Sequence, residues 1–110
     1  MSGYWSRPWI SAGGLVASTE AALAPHRERI DAIDRAVVAL LNERAACAAE
    51  IGRIKHAAGV AVYAPRREED VIRNVVAANG GPLPTAAVQR LFEAVIDETR
   101  SLEREMTGDV

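Results

Sequence analysis

Between Pro25 and Ala58 the chain carries neither proline nor glycine apart from Gly52, and strong helix formers dominate throughout. The stretch predicts one long helix with Pro25 in its first turn, where a missing N–H costs nothing. Its apolar residues follow a heptad, with Ile30, Val37, Ile51 and Ala58 at one position and Ile33, Leu40, Cys47 and Ile54 at the other. Such a helix extends about 50 Å, whereas a compact chain of 110 residues has a radius of gyration of only about 13 Å. It must overhang its own domain, and a second chain covering the overhang is the simplest remedy.

Two shorter helices follow. Gly59 ends the first helix, residues 60–64 connect, and Pro65 is placed to open a second helix that runs to about Ala78 with Val71, Ile72, Val75 and Val76 on its apolar face. Asn79-Gly80-Gly81-Pro82 stops it. A third helix starts near Pro84 or Thr85 and carries Val88, Leu91, Phe92, Val95, Leu102 and Met106 on one side. There is no internal repeat, and Val60 to Tyr63, the only β-like run, is too short to form a sheet. The fold class is therefore all-α: a three-helix protomer with a long first helix, expected as an intertwined homodimer.

Composition agrees with a shared core. The chain is 49% hydrophobic, but 21 residues are alanine and only 5% are aromatic, so large side chains are scarce. A domain of this size buries only about two thirds of its unfolded surface, and a thin core gains by pairing. Thirteen Lys and Arg against fifteen Asp and Glu give a net charge of -2, which argues against nucleic acid or an anionic membrane surface as partner. A single cysteine, Cys47, forms no internal disulfide, and no Cys/His ligand set suggests a structural zinc. Cys47 itself reads as a packing residue.

The first 18 residues hold both tryptophans and three glycines. As an export signal the segment is a weak match, with one positive charge and an apolar part broken by Gly13 and Gly14. We read residues 1–20 as a flexible N-terminal tail, 21–106 as the helical domain and 107–110 as a frayed C-terminus, in a cytoplasmic protein.

The informative residues are charges on otherwise apolar stripes, which cost several kcal/mol unless paired or used, to within a factor of about two. In the first helix the heptad position of Ile30, Val37 and Ile51 falls on Arg44, and Lys55 stands one turn beyond Ile51. Glu68 shares the face of Val71 and Ile72. In the third helix the series Val88, Phe92, Val95 continues through Thr99 to Glu103 and Met106. Each residue has a plain structural reading: Arg44 can snorkel, Lys55 and Glu68 can sit at helix edges, Thr99 can bond its own backbone, and Glu103 can lie near a solvated end. Jointly they describe a polar pocket in a helical bundle that can hold a small polyanion. His26 and His56, about 45 Å apart on one helix, share no site within one chain. No nucleophile–base set, phosphate loop or metal motif is present, which favours a cofactor-free reaction driven by positioning and electrostatics.

The segments Arg27-Glu-Arg-Ile-Asp-Ala-Ile-Asp34, Leu40-Leu-Asn-Glu-Arg44, Ile51-Gly-Arg-Ile-Lys55, Pro65-Arg-Arg-Glu68 and Leu91-Phe-Glu-Ala-Val-Ile96 together resemble the all-helical (AroQ) class of chorismate mutases, over about residues 25 to 106. The resemblance implies entwined dimers that convert chorismate to prephenate, on the way to phenylalanine and tyrosine, with no cofactor. It implies that Arg44, and Arg27 from the partner chain, grip the two substrate carboxylates, holding a compact chair-like conformer. Lys55 would donate to the ether oxygen, Glu68 would accept from the ring hydroxyl, Arg67 would orient Glu68, and Thr99 would assist a carboxylate.

Many members have Gln where this chain has Glu103, so Glu103 is expected to help the ether oxygen only when protonated. The position four before Glu68, often polar in the family, is Ala64. Competing readings are an isochorismate pyruvate-lyase or a 4-amino-4-deoxychorismate mutase on the same fold. From another class come a noncatalytic helical dimer and a regulatory subunit associated with another shikimate-pathway enzyme. No segment reads as a fused dehydratase or dehydrogenase domain.

Overall fold

The computed structural model describes residues 12–107. They form three helices, α1 (Ala12–Ala58), α2 (Pro65–Ala78) and α3 (Thr85–Thr107), and the chain divides into an N-terminal unit up to Ala39 and a C-terminal unit from Leu40 onward.

The N-terminal unit consists, among the described residues, of the first part of α1. This helix begins at Ala12, so Pro25 lies inside it and not in its first turn. An interior proline removes one backbone hydrogen bond and clashes with the preceding turn. The run Ala17, Ala21, Ala22, Leu23 and Ala24 supplies the helix propensity that carries the helix across it. Residues 1–11 of the expected tail lie outside the described residues, and 12–20 are helical. Leu15, Val16, Leu23, Ile30, Ile33, Val37 and Val38 are all exposed in the single chain. The heptad face predicted here is thus present and uncovered.

The C-terminal unit holds the rest of α1 with α2 and α3. At the end of α1, Gly59 has a φ of 68°, the Val60 amide donates to the Lys55 carbonyl at 2.8 Å and the Gly59 amide to His56 at 3.1 Å. This paired closure satisfies carbonyls that a helix end leaves open, and its left-handed residue favours glycine. Pro65 opens α2 as expected, and the amide of Glu68 donates to the Ala64 carbonyl at 3.1 Å. After α2, the Asn79 side chain accepts from the Gly81 amide at 3.0 Å and donates to the Leu83 carbonyl at 2.8 Å, fastening the turn into α3.

Among the described residues the buried apolar ones are small or few: Ala48, Ala49, Val62, Val88 and Ile96. Leu40, Leu41, Ile51, Ile54 and Leu91 are exposed. Leu91, read as part of the inner stripe of α3, is exposed in the single chain, while Ile96, outside that stripe, is buried. Cys47 is likewise exposed and not part of a core.

α1 and α3 approach tightly at Gly52. A Cβ built there would lie 3.1 Å from the backbone oxygen of Glu103 and 3.2 Å from its Cα. Gly52→Ala improves helix propensity by about 1 kcal/mol, yet it forces α3 backbone to retreat. We expect a net loss of about 1–2 kcal/mol in urea denaturation; an unchanged or raised midpoint would contradict this packing.

Candidate active site

Helical periodicity on α1 turns Arg44, Cys47, Ile51 and Lys55 to one side, and these line a cavity of about 200 Å³ in the C-terminal unit. Glu68, Arg67 and Val71 from α2 and Ile96, Thr99, Arg100 and Glu103 from α3 complete much of its wall. Arg44, Lys55, Glu68, Thr99 and Glu103, singled out from the sequence as misplaced polar residues, therefore meet around one space.

Their pairings are specific. Arg44 Nη1 donates to Thr99 Oγ1 at 3.0 Å, and that hydroxyl in turn donates back to the Val95 carbonyl at 2.9 Å, with Ile96 O at 3.2 Å. The back-bond expected of a helical threonine is present, and it aims the oxygen's free lone pairs at Arg44. Lys55 Nζ donates to the Val62 carbonyl at 2.9 Å and stands 3.8 Å from Glu103 Oε2. Lys55 and Glu103 are mostly shielded, their side chains 21% and 15% exposed, so neither sits at a solvated edge.

Glu68 occupies the first turn of α2, where the helix dipole favours an acid. Arg67, expected to orient it, lines the same cavity but is exposed. The guanidinium bound to Glu68 is that of Arg100, with Nε donating to Oε2 at 3.0 Å and Nη2 to Oε1 at 2.5 Å. The hydrogen bond to Glu68, outweighing burial, pushes the Arg100 pKa above its ordinary value, so the group stays charged across the physiological range. Sequence reasoning missed Arg100. The available signal was its place four residues after Ile96, one turn along the buried side of α3.

Arg27 is not among the residues lining the cavity. It belongs to the N-terminal unit, where its Nη1 donates to Glu20 Oε2 at 2.6 Å between two well-exposed side chains. Ala64 lines the cavity with a methyl group only. The four cations Arg44, Lys55, Arg67 and Arg100 face two carboxylates, Glu68 and Glu103, leaving a surplus of two positive charges in the wall. Such a wall attracts a small dianion, and its Arg groups can bind carboxylates bidentately. Among the described residues no three His, Cys, Asp or Glu side chains gather as a metal-binding group, and no helix is long and apolar enough to cross a membrane.

Comparison with known proteins gives concordant matches. Residues 26–104 match the family described as chorismate mutase type II. Over 77% of its length the chain is 47% identical to a bifunctional chorismate mutase/prephenate dehydratase of Neisseria gonorrhoeae. Over 73% it is 34% identical to the protein of the same description from Aquifex aeolicus. The chain spans 23% of each of these relatives. The structure of chorismate mutase (form II) from Thermus thermophilus superposes with a TM-score of 0.74 at 31% identity, covering 76% of this chain and 94% of that one.

The Arg44–Thr99 hydrogen bond yields a test of the site's architecture. Thr99→Val keeps the shape and removes the oxygen that Arg44 needs, at a cost of about 1 kcal/mol. Urea unfolding that shows no loss would mean the two side chains do not pair in solution.

Proposed function

Because the chain belongs to the chorismate mutase type II family, we propose that it converts chorismate to prephenate by a cofactor-free Claisen rearrangement. The observation that carries this reading is the convergence of Arg44, Lys55, Glu68, Thr99 and Glu103 on one cationic cavity. The reaction is an isomerisation in which an ether C–O bond breaks as a C–C bond forms, so the protein need supply neither electrons nor a nucleophile. What it must supply is a compact substrate conformer and a donor at the ether oxygen, where negative charge grows.

In this reading Arg44, steadied by Thr99, grips one substrate carboxylate, and Arg27 from a second copy grips the other. The exposure of Ile30, Ile33, Val37, Leu40 and Ile54 supports a homodimer, since pairing would remove that apolar surface from water. Lys55 donates to the ether oxygen, and Glu68 accepts from the ring hydroxyl. Arg67, at the rim, adds to the cationic field. Glu103, 3.8 Å from Lys55, completes the polar wall on the ether-oxygen side. Relatives that join a chorismate mutase to a prephenate dehydratase support a place in cytoplasmic aromatic amino acid biosynthesis and association with another enzyme of that pathway.

Incubation with chorismate and, separately, with isochorismate, with product identification, tests the assignment. Prephenate from chorismate is expected, whereas pyruvate release from isochorismate alone would point to the lyase. Arg44→Ala is expected to lower kcat/KM by about 1,000-fold while circular dichroism stays helical; loss of the helical signal would give Arg44 a structural role instead.

Glu103→Gln tests the part of that side chain in the site: its amide is a donor of the same size, so kcat/KM for chorismate is expected to be kept or raised. A loss of about 10-fold or more would contradict a donor's place at position 103.

A further inference from the structure

Glu68 is held by a residue to which the proposed reaction gives no part. Arg100 binds both oxygens of its carboxylate side-on and is itself fixed on two further sides. Its guanidinium lies over the Tyr63 ring, 5.3 Å from the centroid, and Nη1 stands 3.6 Å from Asp97 Oδ1. One side chain from α3 thus ties together the connection before α2, the first turn of α2 and its own helix.

Glu68 has two spaces open to it. It lines the cationic cavity and also a separate groove formed with Tyr63, Ile72, Gln89 and Glu93, whereas Arg100 is in the wall of the cavity alone. A free glutamate has several torsions with which to choose between them. At this end of the cavity Ala64 offers no side-chain acceptor, and the other carboxylate, Glu103, is engaged by Lys55. The orientation of Glu68 therefore decides whether a substrate hydroxyl finds an acceptor.

We propose that Arg100 is a positioning residue that holds the Glu68 carboxylate toward the cavity, with lone pairs left free for the substrate's ring hydroxyl. An ionised carboxylate offers about four acceptor positions, of which the bidentate guanidinium fills two. The planar fork also fixes the plane of the carboxylate, which the point charge of a lysine does not. The assignment rests on the proposed reading of Glu68 as the hydroxyl acceptor.

A kinetic double-mutant cycle in the full chain tests it. Arg100→Gln is expected to lower kcat/KM for chorismate by about 10- to 100-fold, but by less than about 3-fold when Glu68 is already Ala, because beyond its share in the cationic field of the wall Arg100 acts through that carboxylate. Arg100→Lys should restore only part of the loss. Equal losses in both backgrounds would make Arg100 a general structural residue and overturn the proposal, as would an Arg100→Gln variant with full activity. Should Arg100→Gln fail to fold, Tyr63→Leu, which loosens the guanidinium and leaves Glu68 in place, should lose about 3-fold in the Glu68 background alone; the same loss in both would overturn the proposal. A wild-type chain that leaves chorismate unchanged would instead overturn the reaction, and the role of Arg100 with it.

Discussion

The polar pairs that join α1 to α3 in the C-terminal unit flank a tight approach of the two helices at Gly52. The missing side chain lets α3 backbone at Glu103 lie nearer to α1 than an ordinary Cβ contact allows, and two polar pairs bridge the same helices. Lys55 stands 3.8 Å from Glu103 on one side of Gly52, and Arg44 reaches Thr99 at 3.0 Å on the other. Wider spacing would take Thr99 from Arg44 and leave Lys55 with the Val62 carbonyl alone, and a shielded cation that loses a partner costs more than the pair contributes. α2 is attached to this seam through the Glu68–Arg100 pair, so all three helices are cross-linked by charged or hydroxyl groups around one cavity.

The apolar interior is too small to account for the fold alone. Among the described residues, two alanines, two valines and one isoleucine are the buried hydrophobic ones. Five large residues of the same unit, Leu40, Leu41, Ile51, Ile54 and Leu91, remain exposed, each worth about 1.5–3 kcal/mol if fully buried. An Ala-rich chain resolves this by letting helices lie close and leaving a large apolar face for another copy, which is the physical basis of the proposed dimer. The near-neutral net charge of -2 conceals the local cationic surplus that would hold a dianion.

Much of this was legible in the residues. Pro65, the Asn79–Pro82 turn and Gly59 marked helix ends because their backbone chemistry is local and strong. Arg44, Lys55, Glu68, Thr99 and Glu103 stood out because a charge or hydroxyl on an apolar stripe must be compensated. Pro25 misled: the same rule that reads proline as a helix start yields to an alanine-rich segment before it. Arg100 escaped because its neighbour Thr99 continued the predicted stripe, and a helix stripe is broad enough to include two adjacent residues. The exposure of Leu91 and Cys47 could not follow from periodicity, which marks an apolar face without saying which chain covers it.

In the proposed function each active site needs two chains, Arg44 from one and Arg27 from the other. Mixing inactive Arg27→Ala and Arg44→Ala chains under conditions that let subunits exchange tests it directly. At equal amounts about half the dimers would be mixed, each with one intact site, so about a quarter of wild-type activity should return. Activity no higher than that of the separate variants after verified exchange, or an Arg27→Ala chain with full activity by itself, would contradict a site shared between chains.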